Sequence, residues 1–296
     1  MAKGLREIKG RIKAVKSTAQ ITRAMQLVAS SKMKRAQDAA LAGREYRRLL
    51  ADMLDGALGR VGEKFQHPLT AVRENTGKRA IVLVTTDKGL CGGLNTNILR
   101  LVSELPKENC VFITVGKKGA QYVARTGRTL LADFPVSDKA TFAEVRVIGE
   151  FLLGKYLEGE FDTVEVVYPQ FKNALIQTPV NVKLLPVSDL AARAHELHVK
   201  LGNPEPGSIV DDDRDMVFEP SVESVLAELP ALYFKEELHQ KILEAKASEH
   251  SARMVAMKAA TDNAKKIAHH LTLEYNKSRQ AAITQEILEI TAAANA

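Results

Sequence analysis

Tryptophan is absent from this chain, cysteine occurs only twice, and aromatic residues make up 5% of it. Cys91 and Cys110 cannot build a disulfide framework and suit a reducing compartment. No apolar run approaches the roughly 18 residues needed to cross a bilayer, so no membrane span is predicted. The opening stretch, MAKGLREIKGRIKAVKSTAQ, is basic but has no apolar core behind it, which argues against a secretory signal. Glu7 and the smooth continuation of the pattern argue against a cleaved targeting peptide, and the chain reads as soluble and cytosolic. Proline is missing from Leu5 to about Leu58, and both proline and glycine are missing from Leu232 to Thr291. Together with plentiful alanine, these gaps favour long helices over a sheet sandwich.

What is present is unevenly placed. The net charge is +6 over 296 residues, yet residues 1–48 carry 13 Lys/Arg against 3 Asp/Glu, a net of +10. Residues 235–296 are nearly balanced, and the middle is acidic. A basic segment of this kind usually meets an acidic partner: nucleic acid, a membrane surface or a protein.

At 45% hydrophobic, the chain has enough apolar material for a real core. In the first segment Leu5, Ile8, Ile12 and Val15 repeat at three-four spacing and Ala19 keeps the seam, which predicts a coiled-coil stripe. Beyond it Ile21, Ala24, Met25, Val28 and Met33 drift round the helix, so this part is apolar on more than one side. The last segment is expected to start after Pro230, with Leu238, Ile242, Ala245, Ala252, Ala256, Ala259, Asn263 and Ile267 as its seam. About 55 and about 60 helical residues would span roughly 80 and 90 Å at 1.5 Å per residue. A compact domain of this size is about 40 Å across, so both helices are expected to project from it.

Between them, short β-rich runs at Ala80–Thr85, Val111–Val115 and Thr163–Tyr168 alternate with helical stretches, the clearest being Lys139–Gly159. A fourth run, Thr178–Pro186, follows the third closely enough to pair antiparallel with it. The expected fold class is α/β, a Rossmann-like domain with a mostly parallel sheet, flanked by a long antiparallel two-helix coiled coil from the two chain ends. The expected organisation is residues 1–60 as N-terminal helix, 75–200 as α/β domain, 201–230 as linker and return, and 231–296 as C-terminal helix. The return, Gly202–Ser221, is acidic and proline-rich.

Several features could carry chemistry. In AIVLVTTDKGLCGGLNTNILR, from Ala80 to Arg100, strand, glycine loop and helix follow one another as in phosphate-binding proteins. A phosphate loop, however, needs G-x-x-x-x-G-K-[ST], and here Leu94 and Asn95 follow Gly93. The dinucleotide pattern fails as well, leaving a tight strand-to-helix connection as the simpler reading. Cys91 near a helix N-terminus could be a nucleophile, but no histidine stands at a signature spacing, and a small residue packed in a turn explains it. His195 and His198 lack the companion ligands of a metal site. Asp211–Asp215, DDDRD, lacks the glycine and closing glutamate of a calcium loop. The basic helix has no interleaved aromatics and no DNA-binding motif. No catalytic residue, metal or cofactor is assigned. A coiled-coil nucleic-acid binder, a cysteine-dependent α/β enzyme and a scaffolding rod each explain one feature of the chain.

Three stretches occur together in order: ITRAMQLVASSKMKRA (Ile21–Ala36), TDKGLCGGLNTN (Thr86–Asn97) and NKSRQAAITQEILEI (Asn276–Ile290). Together they closely resemble the γ-subunit family of bacterial F-type ATP synthases, over the whole chain. The inserted cysteine pair of redox-regulated chloroplast relatives is not there, so that regulation is not expected. The resemblance implies a non-catalytic central rotor shaft inside a ring of three α and three β subunits, one copy per complex. It would couple proton flow through the membrane sector to ATP synthesis or hydrolysis by rotation, and help regulate both. Its implied partners are α, β, ε and the c-ring, with no nucleic acid. Its implied place is peripheral, on the cytoplasmic face of the bacterial inner membrane. The implied ring contacts are Arg23, Met25, Lys32, Met33, Arg279, Gln280, Ile283, Thr284, Glu286, Ile287 and Ile290, with Arg23 and Lys32 facing acidic parts of β. The apolar end around Ile287 and Ile290 would turn in a collar at the top of the ring.

Overall fold

The computed structural model describes residues 2–61, 67–71, 77–187 and 217–294. His195, His198, Asp211–Asp215 and most of the Gly202–Ser221 return lie outside them. The chain divides into two units: Met1–Ser31 with Arg253–Ala296, and Lys32–Ala252.

The larger unit is built on a five-stranded sheet. Its strands are β1 (Arg79–Val84), β2 (Cys110–Val115), β3 (Thr129–Phe134), β4 (Thr163–Phe171) and β5 (Gln177–Leu185), in the order β3-β2-β1-β4-β5. β1 runs parallel to β2 and β4, β2 parallel to β3, and only β5 is antiparallel, to β4. A central parallel strand is covered on both faces and reads as one apolar run, and Ala80 to Val84 are all buried. Their side chains alternate as pleating requires. Ala80, Val82 and Val84 join one core with α5 (Phe142–Leu157), while Ile81 and Leu83 join another with α3 (Leu94–Glu104) and Val123 of α4 (Lys117–Arg125). Register is pinned by Arg79, whose Nε and Nη2 donate to the two oxygens of Glu165 at 2.8 and 2.6 Å, while Asn181 of β5 donates to the same carboxylate. Burial alone would raise the pKa of Glu165, but these donors outweigh it and hold the group below its ordinary range.

β3 has no counterpart among the expected runs. As an edge strand it is mostly exposed, with only Ala132 and Phe134 half-buried, so TLLADF carries no apolar run. The N-terminal helix is also two helices, α1 (Ala2–Ala42) and α2 (Arg44–Val61). The break at Gly43 is held by Arg47, which donates to the carbonyls of Gly43 and Ala40, both at 3.3 Å. Leu50, Leu54 and Ala57 then carry α2 into the first core.

The last helix, α6 (Val222–Ala294), starts eight residues before Pro230 rather than after it. Proline removes one backbone bond and usually breaks a helix. Here Leu226, Leu229, Tyr233 and Phe234 are all buried in the first core, and Ser221 accepts from the Ser224 N–H at 3.2 Å as an N-cap. Packing and a capped start override the proline.

In the smaller unit α1 and α6 form the antiparallel coiled coil. The buried and half-buried positions of α1 here include Leu5, Ile8, Ile12, Val15, Ala19, Thr22, Gln26 and Ala29, an unbroken three-four alternation, with Met25 and Ser30 half-buried beside it. On α6 they include Met257, Thr261, Ala264, Ala268, Leu271, Tyr275, Ser278 and Ala282, with the same alternation, while residues 253–256, Ala260 and Thr272 are half-buried beside them. A strict 3.5-residue repeat keeps two helices facing one another along a supercoil. The α6 seam therefore corrects the expected one. Leu238, Ile242 and Ala245 are buried in the larger unit and Ala252 and Ala256 are half-buried, but Ala259, Asn263 and Ile267 face outward, Ile267 at 51% exposure. On α1 the outlying apolar residues Ile21, Leu27 and Val28 are exposed, while the seam passes through Thr22, Gln26 and Ala29.

Candidate partner-contact surface

The Thr22 and Thr261 hydroxyls meet at 2.7 Å inside the seam. Nothing of α1 beyond Ser31 belongs to this unit, yet α6 is buried as far as Ala282, so the pairing must run antiparallel from that contact. The resulting register puts Ala19 opposite Ala264, Ile12 opposite Leu271, and Leu5 opposite Ser278. The first residue of α1, Ala2, falls opposite Ala281. Among the described residues, none of α1 falls opposite α6 from Ile283 onward.

This overhang is apolar. Ile283, Ile287, Leu288 and Ile290 are all exposed, Ile290 at 69%. Thr284 and Thr291 donate to the carbonyls of Gln280 and Ile287, at 3.0 and 2.9 Å, keeping these hydroxyls on their own helix. An isolated helix end with four large aliphatic side chains in water is what a partner surface looks like before the partner arrives.

The implied contact residues do not form one patch. Ile283, Thr284, Glu286, Ile287 and Ile290 lie on the overhang, and Arg279 and Gln280 are exposed just before it. Arg23 is exposed on α1 and donates to Gln26 at 3.2 Å, while Met25 is half-buried. Lys32 and Met33 belong to the larger unit and are half-buried, and Lys32 is paired within the chain with Asp138. Leu288, Ile21, Leu27 and Val28 were not singled out as contacts, although their exposure equals that of the residues that were. Apolar residues lying off a three-four stripe were the available signal.

The glycine loop follows β1, where the chain runs to β2 on one side and β4 lies on the other. Doubly wound folds bind ligands at such a switch point. In this chain the loop satisfies its own polar groups. The Thr86 N–H donates to Asn95 Oδ1 at 3.3 Å, Asn95 Nδ2 donates to Thr86 Oγ1 at 2.7 Å, and the Thr86 hydroxyl donates to the Lys88 carbonyl at 2.8 Å. Asp87 accepts from the Lys117 N–H at 3.1 Å, placing a carboxylate where the N-terminus of α4 would otherwise attract an anion. Cys91 is buried in the second core, and Asn95 Nδ2 lies 3.4 Å from its sulfur. Among the described residues no three His, Cys, Asp or Glu side chains gather as a metal site, and no helix is long and apolar enough to cross a membrane.

A family model described as ATP synthase matches residues 4–296. The chain belongs to the ATP synthase family. It is 52% identical to the ATP synthase gamma chain of Opitutus terrae over 97% of both chains. It is 42% identical to the ATP synthase gamma chain of Akkermansia muciniphila, covering 99% of this chain and 98% of that one. Among solved structures, the rotor of the Euglena gracilis mitochondrial ATP synthase matches with a TM-score of 0.62 at 18% identity, covering 96% of this chain and all of that one. At that identity the likeness is one of fold. A chain from the central stalk and c-ring structure of the Tetrahymena thermophila mitochondrial ATP synthase, 25% identical, matches with a TM-score of 0.58 over 81% of this chain and 99% of that one.

Proposed function

We infer that this chain is the central rotor shaft of a proton-translocating ATP synthase and does no bond chemistry itself. The observation that carries this reading is the coiled coil whose α6 strand outruns its partner and ends in exposed Ile283, Ile287, Leu288 and Ile290. Family membership and the gamma-chain relatives support it.

The mechanism follows from asymmetry. A ring with three equivalent catalytic sites meets a different face of a two-helix shaft at each site. Contact energies that differ among the conformations of those sites shift their nucleotide affinities in turn as the shaft rotates. The apolar overhang would sit in the collar of the α and β ring. Arg23, Arg279, Gln280, Thr284 and Glu286 would supply polar contacts beside it, with Met25 and Met33 packing behind. Lys32 would reach β only by sharing or leaving Asp138. The larger unit would meet ε and the c-ring, one copy per complex, on the cytoplasmic face of the bacterial inner membrane.

The test is co-purification followed by reconstitution. Tagged chain from its native cell should bring α, β and ε with it. Membrane vesicles carrying the complex with this chain ended before Asn276 should lose proton-driven ATP synthesis. Synthesis equal to that of the intact complex would overturn the assignment.

A further inference from the structure

The loop between β3 and α5 is gripped from three directions. Lys32 of α1 pairs with the Asp138 carboxylate, and His250 Nε2 of α6 lies 3.8 Å from the other oxygen of that group. Lys246 Nζ, buried, donates to the Val136 carbonyl at 3.2 Å, and His239 Nε2 lies 2.8 Å from the Ala140 carbonyl. His239, Lys246 and His250 are spaced seven and four apart, so they lie on one face of α6. The loop they hold is itself stiff. Glu144 accepts from the N–H and hydroxyl of both Ser137 and Thr141, at 2.8 to 3.2 Å. Lys32 is the first residue of the larger unit and His250 is two residues from its last.

We propose that Asp138 and its loop are the clamp that makes α1 and α6, within the larger unit, turn as one body with the sheet. An exposed ion pair alone is worth little. Here one carboxylate joins two helices 218 positions apart in sequence, on a loop that a buried lysine also holds. Burial would raise the pKa of Asp138, yet Lys32, His250 and Lys246 together keep it below its ordinary value, so the charge persists. Force applied to the sheet then reaches both helices at this loop, in addition to the core that holds α6. Asp138 acts through its partners as a positioning residue.

The inference rests on the shaft reading for its consequence, not for its geometry, so two measurements separate them. In the full chain, Asp138→Ala and Lys32→Ala should each speed amide exchange of residues 32–36 and 246–252 about threefold, leaving β1 unchanged. The double variant should be no faster than either single one, and Lys32→Arg, which keeps the ion pair, should leave the rate at that of the native chain. Unchanged exchange in Asp138→Ala, or additive effects in the double variant, overturns the clamp. In vesicles holding the whole complex, Asp138→Ala should lower ATP-driven proton pumping while ATP hydrolysis stays at its native rate, and Lys32→Arg should leave both at their native rates. Pumping and hydrolysis falling together in Asp138→Ala, or neither changing there, overturns the role in torque. Loss of the shaft reading itself would show elsewhere, as full coupling with the chain ended before Asn276.

Discussion

His239 shows how much one side chain can report. It packs edge-on against Phe142, ring centroids 5.6 Å apart, with Nε2 at the Ala140 carbonyl. Burial pushes its pKa below the ordinary 6.5, and the carbonyl only partly opposes that. The folded chain therefore holds the neutral ring with Nε2–H donating, while the unfolded chain takes up a proton below 6.5. Stability tied to this group is complete above that value and is lost as pH falls toward the folded pKa. Asp138, Glu144 and Glu165, all depressed, lose theirs only at lower pH, since even their ordinary values are 3.8 and 4.5. The melting temperature should thus fall on going from about pH 7.5 to about 5.5, and His239→Gln, which can still donate to Ala140, should flatten that fall. A slope equal to that of the native chain would contradict the assignment. Gly116 makes a sharper case. Its φ is +106°, and a Cβ there would stand 2.2 Å from the Thr85 carbonyl oxygen. Gly116→Ala should cost about 3 kcal/mol or more, read from the urea midpoint, because backbone rather than a movable side chain is in the way.

At the scale of elements, legibility tracked how directly burial writes itself into residue type. β1, β2 and β4 are buried on both faces and stand out as apolar runs, whereas edge strand β3 does not. α6 was misread at its start because Pro230 is visible in sequence while the packing of Leu226 and Phe234 is not. The expected seam ran beside the true one near Met257, because Ala256, Ala259 and Ile267 are as small or apolar as their buried neighbours, and one residue turns a helix face by about 100°. In the candidate surface, Ile287 and Ile290 were legible from composition and resemblance, but their lack of an α1 neighbour needed the register set by Thr22 and Thr261. That hydroxyl pair is itself testable. The two hydroxyls have one hydrogen each, so with Thr261 donating to the Met257 carbonyl at 2.8 Å, Thr22 donates either to Thr261 or to the Ala19 carbonyl at 3.2 Å. Thr261→Ala removes a seam contact and leaves Thr22 only its longer bond to Ala19, which should cost about 1–2 kcal/mol in thermal or urea unfolding. Replacing both by valine removes the polar pair without a void and should be neutral or stabilising. Additive losses in the double valine variant would show that the pair matters less than its surroundings.

For the whole molecule, the proposed shaft reading places stability and function on different residues of one helix. The α6 seam ends at Ala282, while the exposed aliphatic face begins at Ile283. Among the described side chains, ending the chain after Ala282 removes only exposed ones, from Ile283 to Thr291 and Ala293. Its melting temperature should stay within about 1 °C, because the area taken from water on folding hardly changes. Ending it before Asn276 also removes Ser278 and Ala282 from the seam and strips the partner from Leu5, which should lower the melting temperature by about 2–4 °C. Coupling should respond differently. Both truncations remove the overhang, so both should depress proton-driven ATP synthesis in the reconstituted complex to a similar extent, although only one weakens the chain. If synthesis followed melting temperature instead, surviving in the shorter deletion and failing in the longer, the overhang would be dispensable and the seam alone would carry the shaft. The basic N-terminal stretch provides the control. Its Lys and Arg side chains up to Lys16 are outward-facing or outside the described side chains, and the seam opposite the overhang boundary rests on Leu5 and Ile8. Neutralising Lys9 and Lys13 should therefore leave melting unchanged within about 0.5 kcal/mol. Any loss of synthesis in that variant, abolished by added salt in the native complex as well, would be electrostatic in origin and separable from the apolar contact at the α6 end.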